Sequence, residues 1–181
     1  MKQLLVMAIA IFLIACTDAG ENSANSEKDS SGIASSGVND QESKEERNKE
    51  TAMKSVNAFM AGKVDEVMAD ADKDMMEYGD GSFPPMKGLD SMKIGMQSWM
   101  NAFSDYKGSD LQAVADGDHV IVYGVWTGTW TKEYMGMKPT NKSFKIFDAD
   151  IFKFNDAGKM IEHRGVQSSK TLADQIGMKM P

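Results

Sequence analysis

The chain has one cysteine, two histidines, no excess of positive charge and no apolar run long enough to cross a bilayer. Each shortage excludes something. A lone thiol cannot form an intrachain disulfide or a thiolate metal cluster. The formal net charge is −7, of which residues 1–16 carry +1, residues 17–47 carry −5 and the remainder −3. That balance argues against nucleic acid or an anionic membrane surface as a partner, since both select basic patches. The longest apolar stretch, residues 4–15, holds twelve residues, whereas a helix spanning a ~30 Å hydrocarbon core needs about 20.

That short run is informative where it stands. Lys2 precedes it, and it ends in Leu13-Ile14-Ala15-Cys16. A positive start, a short apolar segment and a small residue at the cut describe a signal peptide, and the last four residues resemble a lipobox. Cys16 is then the lipidation site: its thiol takes a diacylglyceryl group, acylation with palmitate-like chains completes the anchor, and the membrane is a partner through that lipid. Each buried CH₂ contributes about 0.8 kcal/mol, so several chains hold firmly. Thr17 is not the aspartate associated with inner-membrane retention, which favours the outer membrane, on its periplasmic or surface face; Asp18 and Glu21 leave surface export open.

Residues 17–47 contain seven serines, three asparagines, eight acidic and three basic residues, with Ile33 and Val38 the only sizeable apolar side chains. Such a stretch buries too little to offset its chain entropy and is expected to be a disordered tether, reaching on the order of 30 Å. Residues 48–178 are the size of one domain.

Within that domain, Met53, Val56, Phe59 and Met60 recur at helical spacing over about 48–61, with Gly62 as a stop. A short helix is expected around Val64, Val67 and Met68, and a strand at 73–78. Residues 79–88 read as loop. A third helix is expected over 89–103, with Leu89, Met92, Met96, Trp99 and Phe103 on one stripe. Strands follow at about 107–115, 119–131, 141–154 and 159–168, and a helical turn at 171–176. Helices first and antiparallel strands after make an α+β pattern. Along 119–130 both faces are bulky, so both are expected to be covered, one by helices and the other by a second sheet, a ligand or a partner.

The strand at 144–154 places Phe144, Ile146, Asp148, Asp150, Phe152 and Phe154 on one face, with the two carboxylates about 6–7 Å apart. A carboxylate among large apolar groups needs a partner, a raised pKa or a wet cavity, or else lies at the rim of the sheet. Asp148 and Asp150 are therefore candidate site residues. His163 joins them in one register: a four-residue loop at 155–158 sets it opposite Asp150. A two-residue loop sets Gly165 there instead, and a three-residue loop changes the face. A carboxylate beside an imidazole makes a general base.

Trp126-Thr-Gly-Thr-Trp130, Gly136-Met-Lys-Pro-Thr140, Asp150-Ile-Phe-Lys-Phe154, Gly158-Lys159 and Glu162-His163-Arg164 together resemble the SnoaL-like polyketide cyclase family. Pro85-Met-Lys-Gly88 and Gln175-Ile-Gly177 fit as well. The resemblance implies a nuclear-transport-factor-2-like cone: a curved mixed or antiparallel sheet wrapped by about three N-terminal helices around an apolar pocket. Tyr78, Trp99, Trp126 and Phe152 are the candidate pocket residues, and a homodimer packed through the sheet is a further implication. The family's acid/base aspartate, just after the Glu-His-Arg tripeptide, corresponds to Gly165, which cannot move protons. The pocket histidine of the family falls on Asp150.

Sixteen methionines is a high count. Thioethers bind Cu(I), but without cysteine or histidine clusters they read as adaptable packing; neither metal nor cofactor is expected. Three functions follow in order: a tethered domain binding a small, largely apolar ligand; a cyclase, isomerase or hydrolase using Asp150 and His163 with Asp148 assisting; and a non-catalytic assembly module.

Overall fold

The computed structural model describes residues 31–167 and 169–179. The signal segment, Cys16 and the tether up to residue 30 lie outside the described residues. The first helix, α1, runs Ser31–Met60, so it starts well before residue 48 and takes in the half of the tether expected to be disordered. The reason lies in its side chains. Gln41 donates to Glu45 at 2.9 Å, and Lys49 pairs with Glu46 at 2.5 Å, contacts that neighbouring helical turns allow. Its later part also docks: Glu45 accepts from the Gly117 amide at 2.9 Å and Lys44 meets Asp156 at 3.0 Å. From there the expected stripe holds, with Ala52 and Val56 buried and Met53, Phe59 and Met60 packed against the core. Gly62, at φ 72°, ends the helix in a conformation that glycine adopts freely.

After α1 come α2 (Val64–Val67), β1 (Ala71–Glu77), β2 (Met86–Lys87), α3 (Leu89–Ala102), β3 (Lys107–Asp116), β4 (His119–Thr129), β5 (Ser143–Phe154), β6 (Met160–Gly165) and α4 (Ser169–Ile176). The strands form one open sheet in the order β2-β1-β6-β5-β4-β3. All neighbours are antiparallel except β1 and β6, which run parallel. This is the expected α+β class. β2 lies in the segment read as loop, because two residues carry no readable periodicity. The C-terminal turn is a full helix, α4, with Ala173 and Ile176 buried.

The inner face of β4 carries Val120, Val122 and Trp126, all buried, with buried Trp130 just beyond the strand; β5 adds Phe144, Ile146, Phe152 and Phe154. Helices α1 and α3 cover this face, and Phe103 stacks on Trp99 at 4.3 Å. On the outer face no second sheet among the described residues lies over the strands, and Phe147 and Ile121 are 65% and 37% exposed in the single chain.

The hairpin from β5 to β6 settles the register. Its loop holds three residues: the Asn155 amide donates to the Lys159 carbonyl and Gly158, at φ 74°, closes the turn. Alone, that loop would turn β6 to the wrong face. A bulge follows, because Phe154 pairs with Met160 but Lys153 pairs with Glu162. The extra residue, Ile161, restores the face. Gly165 then stands opposite Asp150, and His163 opposite Phe152.

Candidate functional site

Between the inner sheet face and α1, α3 and α4 lies a cavity of about 400 Å³. Its walls are mostly apolar and aromatic, including Phe59, Trp99, Tyr106, Trp126, Tyr134 and Phe152. Asp148, Asp150, Glu77 and His163 supply its polar groups on the sheet side. Of the residues singled out in the sequence, Asp148, Asp150, His163, Trp99, Trp126 and Phe152 all line this space. Tyr78 does not. Its ring lies under the Arg164 guanidinium, 3.8 Å from it, because β1 ends at Glu77 and the chain turns away.

His163 is held between two carboxylates. Nδ1 donates to Glu77 Oε2 at 2.6 Å, and Nε2 donates diagonally to Asp150 Oδ1 at 3.3 Å. Burial alone would lower the imidazole pKa, but the charge of Glu77 and the bonds to Asp150 and Glu77 outweigh it and raise the pKa to about 10. At neutral pH the ring is therefore an imidazolium with both N–H groups engaged. One carboxylate tunes an imidazole into the general-base range, whereas two raise it above that range.

Glu77 was missed in the sequence. It sits at the end of β1, paired in parallel with His163, and parallel neighbours far apart in the chain leave no local signal. Burial would raise its pKa, yet the imidazolium and the Gly79 amide bring it below the ordinary value.

Asp148 sits in a different environment. Its Oδ1 accepts from the Ala149 and Gln167 amides, both at 2.7 Å. Burial raises its pKa, with the Asp150 charge adding to the rise, and these amides do not fully offset it. The same two aspartates, after burial, push the hydroxyl of Tyr106 well upward. The carboxylate pair therefore lies within electrostatic reach of the aromatic wall.

At the α4 end of the cavity, Asp80 accepts from the amides of Ser82 at 2.9 Å and Ser169 at 2.5 Å. Burial opposes ionisation, but these bonds win and hold the pKa at about 2. Asp80 thus ties the loop after β1 to the start of α4. Gly165 also lines the cavity, and a Cβ built there meets nothing within 4 Å. Met68, Met75, Met96 and Met160 complete part of the apolar wall. Among the described residues, no three His, Cys, Asp or Glu side chains group to hold a metal ion.

No curated protein matches the chain, but solved structures share its fold. A hydroxylase candidate from Streptomyces galilaeus is 24% identical with a TM-score of 0.61, over 74% of this chain and 97% of that one. A SnoaL-like polyketide cyclase candidate from Jannaschia sp. CCS1 is 18% identical with a TM-score of 0.67, over 76% and 95%. A protein of ketosteroid isomerase-like fold from Catenulispora acidiphila, solved in complex with trimethylamine, is 13% identical with a TM-score of 0.60, over 73% and 98%. At these identities the likeness shows the fold alone. The family assignment comes from the sequence profile of the SnoaL-like polyketide cyclases, which matches residues 50–176, and the chain belongs to that family.

Proposed function

We propose that this protein is a lipid-anchored binding domain whose cavity takes up a small, largely apolar ligand. The observation that carries this reading is the cavity itself: about 400 Å³, walled chiefly by apolar and aromatic side chains, a size and character typical of small-molecule sites. Support for binding over turnover comes from two features. The imidazolium of His163 has both N–H groups committed to carboxylates, so it neither accepts a proton nor offers one freely at neutral pH. Gly165, where the family resemblance places an acid/base aspartate, is a bare wall.

The test uses that glycine. Gly165→Phe would place a ring in open cavity space. The full chain should bind the neutral fluorophore N-phenyl-1-naphthylamine, and Gly165→Phe should weaken binding about tenfold, the loss of roughly 1.4 kcal/mol, with an unchanged melting temperature. Equal binding by both proteins would refute the reading.

One observation favours an enzymatic alternative. Asp148 has a raised pKa beside Asp150, the arrangement by which paired carboxylates serve as acid and base. An activity unchanged by Asp148→Asn, Asp150→Asn and His163→Ala would exclude it. Cys16 and the apolar run before it support the anchor, and the outer membrane is the proposed location. No helix among the described residues is long and apolar enough to cross a membrane. Cys16→Ser should move the protein from the detergent to the aqueous phase in a cloud-point partition.

A further inference from the structure

Charge on the cavity wall is lopsided. Glu77, Asp80, Asp148 and Asp150 line it, while His163 is the single cationic side chain among the described lining residues, with no lysine or arginine. The carboxylates are not equally committed. Glu77 is matched by the imidazolium at 2.6 Å. Asp80 spends its oxygens on the Ser82 and Ser169 amides. That leaves the inner face of β5, where Asp148 gives its Oδ1 to the Ala149 and Gln167 amides and Asp150 lies two residues on. Asp150 gives only Oδ1 to His163, and its Oδ2 has no hydrogen-bond partner among the described residues. Both aspartates act electrostatically on Tyr106, which stacks on Trp126 with ring centroids 5.4 Å apart and meets Trp99 edge-on at 6.0 Å.

We infer that the cavity takes an organic monocation: an ammonium group on a small apolar body, with the charge beside Asp148 and Asp150 and the body against Trp99, Tyr106 and Trp126. This deepens the ligand-binding reading and rests on it. A neutral apolar ligand would displace water from two carboxylates and give them nothing in exchange, which is costly. An anion would meet two like charges and find both N–H groups of the imidazolium already engaged. A cation offsets the carboxylates, and aromatic walls add cation–π attraction. An alkylated ammonium suits such a wall better than a primary amine, because it sheds less hydration on entering an apolar space.

The test compares three probes of similar shape on the full chain, followed by tryptophan fluorescence: phenyltrimethylammonium, its neutral carbon isostere tert-butylbenzene, and benzoate. The cation should bind about tenfold or more tightly than the isostere, and benzoate should bind most weakly. Asp150→Asn should reduce the preference for the cation to within about threefold, by weakening the cation and not the neutral isostere. Asp148→Asn gives a second reading should the first variant lose the fold. If tert-butylbenzene binds the native protein as tightly as the cation, the charge inference is wrong and the pocket reading stands. If no probe binds, both fall.

Discussion

The clamp on His163 makes stability depend on pH in a direction opposite to that of most carboxylate interactions. In the unfolded chain the imidazole titrates near its ordinary 6.5, and in the fold near 10. The folded state therefore holds a proton that the unfolded state has lost across that interval. The stabilisation is complete below pH 6.5 and disappears as pH rises through about 10. One pKa unit corresponds to about 1.4 kcal/mol. The interaction is shared with Glu77, and 22% of the histidine side chain is exposed, so a total on the order of 3 kcal/mol is a reasonable size. Urea unfolding of the native chain and of His163→Gln, at intervals from pH 6 to pH 10, measures it. The native protein should hold its largest advantage over the variant at pH 6 and lose about 2–3 kcal/mol of it by pH 10. Glu77→Gln should move the loss to lower pH, since it removes the carboxylate nearest to Nδ1. A native-minus-variant difference that stays constant over this range, or an imidazole NMR titration centred near 6.5, would refute the clamp.

Other expectations follow from particular contacts. Asp80→Ala should cost about 1–2 kcal/mol near neutral pH, as a lost helix cap does. Because the Asp80 pKa is depressed to about 2, this cost should be fully present above pH 3.8 and vanish as pH falls through 2, read by thermal melts. Gly124→Ala should destabilise by about 1–3 kcal/mol, because a Cβ there would lie 2.8 Å from the Ser109 carbonyl oxygen, which is fixed backbone, and 2.7 Å from Leu111 Cδ2. Gly95→Ala, within α3 and with nothing near its Cβ, should instead stabilise by up to about 1 kcal/mol in the same denaturation assay. Phe103→Ala should cost about 3–5 kcal/mol in that assay, since the ring is 1% exposed and stacked on Trp99.

The helices and most strands were legible because hydrophobic period is a local property. The stripe of Met92, Met96 and Trp99 on α3 and the alternation along β5 each say which face turns inward, and Asp148 and Asp150 stood out as carboxylates on that face. The start of α1 departs from the expected disorder for an equally local reason: serine and acidic composition argues against folding, while spaced polar pairs and docking of Lys44 and Glu45 onto two turns favour a helix. Thirty residues of helix span about 45 Å, and the C-terminal half of that length packs on the core.

Other features came only with the tertiary structure. Whether Asp150 meets His163 depended on a three-residue loop and on the bulge at Ile161, and one inserted residue reverses the face of every residue after it. Glu77 reaches His163 through the parallel pairing of β1 and β6, which joins segments nearly ninety positions apart (86 for this pair). The family, the inward carboxylates and the lone thiol at Cys16 follow from residue type and short-range order alone. The imidazolium state of His163 and the net negative charge facing the aromatic wall were decided by the fold, because electrostatic environment depends on distances between residues that the chain order leaves open.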